Sequence, residues 1–369
     1  MDVFPIIFEP ILKQRIWGGR RLADQLGKSL PDDEAYGESW EVADLEEDQS
    51  MVRGGPVAGR TMGALVRDWG KELLGRAELI DGRFPLLIKF LDANESLSVQ
   101  VHPDEAMAKR LGGDVRVKHE AWYILHADEK GCIYRGLREG VTQESFRRAI
   151  EEGSAAEMLN RIPVKRGQCF YLPSGTVHAL GAGVLVAEVQ TPSDITYRVY
   201  DWDRVDASTG QPRELHIDHA MECIDFSHAP IQGEQRSHVV SVWTAVTQLV
   251  KCPSFVIEQV RMAEGVEQPI PYAELVVWMV IEGRGSVRCR GLEEPLSFKV
   301  GDTVVLPAGL KDGHLKAESD LVWLEVTLPV RGESGSVPKL GADALREVTQ
   351  PRYINIGNLG GVSNEGEDA

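Results

Sequence analysis

Polar and apolar positions alternate with a period of two through much of this chain, the spacing of strands with one buried face. In LSVQVHPD (97–104) the alternation sets Ser98, Gln100 and His102 on one face and Leu97, Val99 and Val101 on the other. VKHEAWYIL sets Lys118, Glu120 and Trp122 together, with His119 opposite, and VLVAEVQ pairs Glu188 with Gln190. YGESWEVAD also reads as a strand. FPLLIKFLDA is apolar except for Lys89. A lone lysine in a buried strand is costly, so Lys89 either reaches an edge or faces a polar cavity. Helical spacing appears in fewer places. Leu65, Val66, Trp69, Leu73 and Leu74 mark a helix within about 60–80. Phe146, Ile150 and Met158 mark another over 142–160, with Thr142 as its N-cap and Ser145 nearby. Shorter helices are expected at 104–113 and 214–224.

From about residue 236 a second series of short strands begins, separated by glycine turns (VVSVWTAVTQLV, SFVIEQVRM, ELVVWMVIEG, GSVRCRG, FKVGDTVVLPAG, DLVWLEVTL). One stretch echoes across the halves. Gly167, five residues, Pro173 and Gly175 lead to His178; Gly301, five residues, Pro307 and Gly309 lead only to Asp312, with His314 two further on. The expected architecture is mainly β with helical insertions, built as two similar antiparallel β-barrels or sandwiches. The first spans 1–235 and holds the metal. The second spans 236–330 and lacks metal ligands. Residues 331–369 form a Gly/Ser/Pro-rich extension whose last residues, GNLGGVSNEGEDA, read as disordered.

Composition narrows the function. A net charge of -17 argues against a nucleic-acid partner, yet leaves room for an anionic small molecule met by a few local cations. The five cysteines (132, 169, 223, 252, 289) include no CxxC pair and read as free thiols of a reducing cytoplasm. The start, MDVFPIIFEPILK, has no basic leader, and the longest charge-free apolar runs, about a dozen residues, are too short to span a membrane.

The chemistry concentrates on three strands. His178 opens a strand after the Pro173–Gly175 turn, where Pro ends one ladder and Gly permits the bend. Gln100 and His102 come from a second strand and Glu120 from a third. Two imidazoles, a carboxylate and an amide suit Zn²⁺, with Fe²⁺, Mn²⁺ or Co²⁺ also accommodated, and leave positions open for substrate. Lys118, Glu188, Asp194 and Arg198 are the charged candidates around the ion. Arg198 offers a planar fork to an anion, and Lys118 or Glu188 could move a proton. His119, His126, His216, His219, His228, His238 and His314 have no comparable setting. A non-catalytic sugar- or metabolite-binding protein of this fold, and another metal enzyme such as an iron dioxygenase, remain open at this point.

SVQVHPDE, VKHEAWYIL, LPSGTVHAL and SDITYRVYDWDR, with PLLIKFLDA and IWGGRRL, resemble the type I mannose-6-phosphate isomerase family in its shorter bacterial form, over roughly residues 5–330. The resemblance implies a double cupin with a helical insertion that interconverts mannose 6-phosphate and fructose 6-phosphate through a cis-enediol. It implies one Zn²⁺ per chain on Gln100, His102, Glu120 and His178. It implies that Arg198 is the family's essential arginine and that Lys118 and Asp194 are further active-site residues. Val117 departs from members that carry histidine there, and the stretch beyond about 330 has no counterpart.

Overall fold

The computed structural model describes residues 2–113, 115–206, 210–232, 234, 237–241 and 243–329. The expected extension over 331–369 lies outside them. No described helix is long and apolar enough to cross a membrane.

The chain is mainly β and builds two sandwiches of open antiparallel sheets. In the first, a six-stranded sheet runs in the order Ile11–Lys13, Glu38–Val42, Leu87–Ala93, Val184–Gln190, Glu120–Ala127, Cys169–Leu172. It faces a five-stranded sheet ordered Tyr197–Tyr200, Val99–Val101, His178–Leu180, Cys132–Leu137, Leu159–Pro163. Leu91, Trp122, Ile124, Phe170 and Val186 from one sheet meet Ile133 and Leu180 from the other. The second sandwich sets a seven-stranded sheet against a four-stranded one, with Trp278, Trp323, Val260 and Leu306 packed on Val287, Phe298 and Leu315.

The larger sheets of the two sandwiches lie back to back. Ile88, Phe90, Tyr123 and Ala187 share one core with Ile257, Val277, Leu324 and Val326. Strand alternation produces this layering, because each strand of a large sheet has one set of side chains inside its own sandwich and the other between sandwiches. The junction is also stitched by the chain's first strand. Ile6–Ile7 pairs with Val305 and Val304 of the second sandwich.

The helices are shorter than their periodicity suggests. The 60–80 segment holds Met62–Trp69 and Lys71–Leu74, split at Gly70, whose φ of 46° is outside the helical region. The helix expected over 142–160 runs only Gln143–Glu151. Thr142 caps it in a reciprocal box with Ser145, as its sequence predicts. Gly153 at φ 72° follows its end, a 3-10 turn occupies Ala155–Met158, and Leu159–Pro163 is a strand. Phe146 and Ile150 cover the outer face of the five-stranded sheet together with Ala220 and Met221 of helix Ile217–Cys223.

Candidate active site and metal centre

The inner face of the first sandwich changes character along its strands. On Val184–Gln190, Val184 and Val186 enter the apolar core, whereas Glu188, two residues on, lines a cavity of about 470 Å³. On Leu87–Ala93, Lys89 points the same way, so the lone lysine faces a polar cavity. Register explains the assembly. Glu188 stands opposite Lys89 on one neighbouring strand and Trp122 on the other. Across the cavity, Gln100 stands between His178 and Arg198. The expected face of Lys118, Glu120 and Trp122 lines the cavity as a set, while His119 turns away to accept a hydrogen bond from Tyr171 Oη at 3.1 Å.

His102, Glu120 and His178 are buried, and their ligand atoms lie within 4.8 Å of one another. Each imidazole donates from Nδ1 to a backbone carbonyl: His102 to Ile195 (3.0 Å) and His178 to Thr176 (2.8 Å). A carbonyl only accepts, so the ring proton sits on Nδ1 and the Nε2 lone pair turns inward. His102 Nε2 then stands 3.3 Å from Glu120 Oε1, and His178 Nε2 3.2 Å from Glu120 Oε2. Lone pairs face lone pairs. His102 Nε2 and Glu120 Oε2 are buried without a hydrogen-bond partner, a costly arrangement that a cation at the centre relieves. Burial, and next the charge of Lys118, push His102 down to about 3, so the ring is neutral and able to ligate. Burial alone would raise the Glu120 carboxyl. The Lys118 ammonium, 2.7 Å from Oε1, leads the opposing interactions that together hold the group well below the usual range. The Gln100 amide lies 3.4 Å from His178 Nε2. A half-turn of that amide exchanges its nitrogen and oxygen, which brings an oxygen within reach of the same centre.

The remaining charged groups form a second cluster. Lys89 Nζ sits 3.6 Å from Glu188, 3.8 Å from Glu38 and 3.7 Å from Asp194, over the Trp40 ring. Burial works against its charge, but the Glu188 and Glu38 carboxylates outweigh it and raise Lys89 above the usual lysine range. Glu38 accepts from Trp40 Nε1 at 2.6 Å and Arg15 Nε at 2.5 Å. Burial would raise it too; Lys89 and Arg15 bring it down. Glu188 accepts from Trp122 Nε1 at 2.8 Å. Burial first, then the charge of Glu120, pushes Glu188 up to about 7. Asp194 is half exposed at the mouth. Arg198 donates from Nη1 to the Glu214 carbonyl, and its Nε is buried without a partner.

Six of the eight residues singled out in the sequence, Gln100, Lys118, Glu120, Glu188, Asp194 and Arg198, line this cavity, and His102 and His178 stand behind it against Glu120. Sequence reading gave no site role to Arg15, Trp17, Glu38, Thr196 and Arg213, which also line it, set Ser98 on the right face without a role, and left Lys89 without one. A larger cavity of about 1150 Å³, bounded by Arg135, Tyr171, Ser174 and Lys251, carries no such cluster; chemistry, not size, distinguishes the site. The five cysteines are free.

Known proteins resemble this chain over most of its length. A family model described as phosphomannose isomerase type I, catalytic domain, matches residues 6–144. Mannose-6-phosphate isomerase ManA of Bacillus subtilis is 37 % identical over 328 residues, 87 % of this chain and 99 % of the relative. The mannose-6-phosphate isomerase of Streptococcus mutans is 34 % identical over 86 % of this chain and 97 % of its own length. The crystal structure of the mannose 6-phosphate isomerase from Bacillus subtilis superposes with a TM-score of 0.79 at 32 % identity, covering 88 % of this chain and 99 % of that one. Matched over nearly the whole length of these relatives and sharing their fold, with a buried two-histidine, one-carboxylate centre, the chain belongs to the type I phosphomannose isomerase family.

Proposed function

We propose that this protein interconverts mannose 6-phosphate and fructose 6-phosphate by moving a proton between C1 and C2 through a cis-enediol. The observation that carries the reading is the cluster of His102, Glu120 and His178, whose carboxylate lines a cavity that also holds Glu188, Lys89, Lys118 and Arg198. His102, Glu120 and His178, with the Gln100 amide as fourth ligand, hold one Zn²⁺; two neutral imidazoles, a carboxylate and an amide fit that ion. Bound there, the ion supplies positive charge against the substrate oxygens as the enediol forms.

Glu188 is the carbon base. It is buried, held in place by Trp122, and pushed up to about 7, close to an ideal value for taking and returning a proton at neutral pH. Lys89 keeps the ionised form of Glu188 tolerable inside the sandwich. Lys118, beside Glu120, donates to the substrate oxygens and carries the proton between O1 and O2. Asp194 orients Lys89 from the mouth of the cavity. Arg198 faces the phosphate. Catalytic work belongs to residues 1–235, since no second cluster of metal-ligand type occurs among the described residues. The free thiols fit a reducing cytoplasm as the working compartment.

The test is coupled-assay turnover of mannose 6-phosphate by the purified protein, as isolated, after chelation and after Zn²⁺ is restored. Loss with chelator and recovery with Zn²⁺ is expected. A fully metallated protein without turnover would remove the reading.

A further inference from the structure

Among the cations that line the catalytic cavity, most face a carboxylate. Arg15 is paired with Glu38, Lys118 with Glu120, and Lys89 sits amid Glu38, Glu188 and Asp194. Arg198 has no carboxylate partner among the described residues. Its Nη1 donates to the Glu214 carbonyl, and its Nε has no partner although buried. The orphaned nitrogen belongs to the Nε–Nη2 edge, the edge with which a guanidinium forks onto an oxyanion.

Arg213 lines the same cavity. Its Nε and Nη2 donate to Asp201 at 2.7 and 2.5 Å, a two-point grip that fixes the plane of the guanidinium. Its Nη1 has no partner among the described residues. Asp201 is buried and also accepts from Arg204 Nη2 at 2.6 Å, so one carboxylate serves two guanidinium groups. The segment that carries Arg213 is bound to the strand that carries Arg198. His216 N donates to the Arg198 carbonyl at 2.8 Å, and Arg198 N donates to His216 Nδ1 at 3.3 Å. Arg198, Arg204 and Arg213 thus gather near a single buried carboxylate, with Glu95 3.9 Å from Arg204, and the two arginines that line the cavity here, Arg198 and Arg213, have no carboxylate of their own beyond Asp201 among the described residues.

We propose that Arg213, held flat by Asp201, is the second arm of the subsite for the substrate's phosphate, opposite Arg198, and that it sets the preference for phosphorylated over free hexose. The assignment rests on the isomerase reading for its substrate, but the anion site itself does not. Arg213 binds the non-reacting end of the sugar, so its loss weakens binding while leaving the proton transfers at C1 and C2 in place.

Two measurements on Arg213→Gln test it. Inorganic phosphate, titrated by calorimetry, should bind the variant at least about tenfold more weakly than the wild type, the scale of one charge-assisted contact. KM for mannose 6-phosphate should rise by a similar factor with kcat within about threefold, and turnover of free mannose should not fall. Unchanged phosphate affinity, or an equal loss on phosphorylated and free sugar, overturns the assignment. A wild-type protein that binds phosphate but turns over no hexose phosphate would count against the isomerase reading and not against the subsite. Should the variant fail to fold, hydrogen exchange on the wild type decides: phosphate should protect amides in the 213–216 segment, and absence of protection overturns the proposal.

Discussion

Trp122 donates its Nε1 proton to Glu188 from the neighbouring strand at 2.8 Å, and the second sandwich repeats the arrangement. There Trp278 stands opposite Glu325 and donates to it at 3.1 Å. The strand on the other side of the carboxylate differs. Lys89 flanks Glu188, whereas Glu258 flanks Glu325. The second sandwich has the same Trp–Glu pair and a carboxyl group where the first has an ammonium. Glu325 is buried and accepts from Tyr272 Oη, Trp278 Nε1 and Trp323 Nε1, so it serves as a polar anchor inside an apolar core.

This difference predicts how stability varies with pH. Burial, then Glu325, pushes Glu258 up to about 7, and burial raises Glu325 as well. Around them stand Gln248 on the next strand, Tyr272 and the two tryptophans; the facing sheet contributes Val287, Phe298 and Leu315. A carboxyl whose folded pKa exceeds its unfolded value stabilises the fold below the unfolded pKa. That contribution fades as pH rises through the folded one. The second sandwich should therefore lose stability between about pH 4.5 and pH 7 on account of this pair. Glu258→Gln should narrow the gap in thermal midpoint between pH 5 and pH 8. An unchanged gap would show that the two carboxyl groups do not share a proton.

Glu188→Gln keeps the shape and the Trp122 hydrogen bond but cannot take a proton. If Glu188 is the carbon base, kcat should fall at least ~100-fold, the low end for a positioned general base. KM should stay near the wild-type value, and the bound metal content should be unchanged. Exchange of the C2 hydrogen with solvent deuterium should disappear in parallel. Persistent exchange at the wild-type rate would move the role to Lys118.

The proposed metal ligands are legible in the sequence because each sits where local rules are strong. Gln100 and His102 are two apart on an alternating strand, and His178 follows a Pro–Gly turn whose Gly167 and Gly175 adopt φ of 89° and 82°. Lys89 is visible as an anomaly, yet its partner Glu38 lies 51 positions earlier and meets it only through strand pairing. Arg213 is less visible still. Nothing within its own segment marks it, and its placement depends on a carboxylate twelve residues back across a hairpin. Local periodicity carries faces, turns and caps; it does not carry which strands become neighbours. For the same reason Met158 fits a helical spacing that Gly153 interrupts.

Removing the metal should loosen the first sandwich as well as stop turnover. His102, Glu120 and His178 come from both sheets, so an ion held by them would tie the sheets together at the polar end of the core. Without it, inward lone pairs repel across 3.2–3.3 Å. Chelation should lower the thermal midpoint by several degrees, and His178→Gln should bind less than one equivalent by elemental analysis. Equal midpoints for metallated and stripped protein would mean that the site does not bridge the sheets.

The turn at Gly175 connects this centre to the rest of the domain. Gly175 N donates to the carbonyl of His102 at 3.0 Å, and its own carbonyl accepts from Asp225 N at 2.9 Å. One residue later Thr176 supplies the carbonyl that fixes His178. A Cβ at position 175 would meet the Cys223 carbonyl at 3.1 Å on a backbone with φ of 82°, a conformation that costs a non-glycine residue about 1–3 kcal/mol. Gly175→Ala should relieve that strain by shifting the turn, and the shift must pass to His102 through one hydrogen bond and to His178 through the next. The expected result is a lower thermal midpoint together with faster loss of metal to a chelator. Destabilisation with wild-type metal release would confine the role of Gly175 to folding. An unaltered variant in both measurements would show that the turn tolerates a side chain and that the positions of the two imidazoles are set elsewhere.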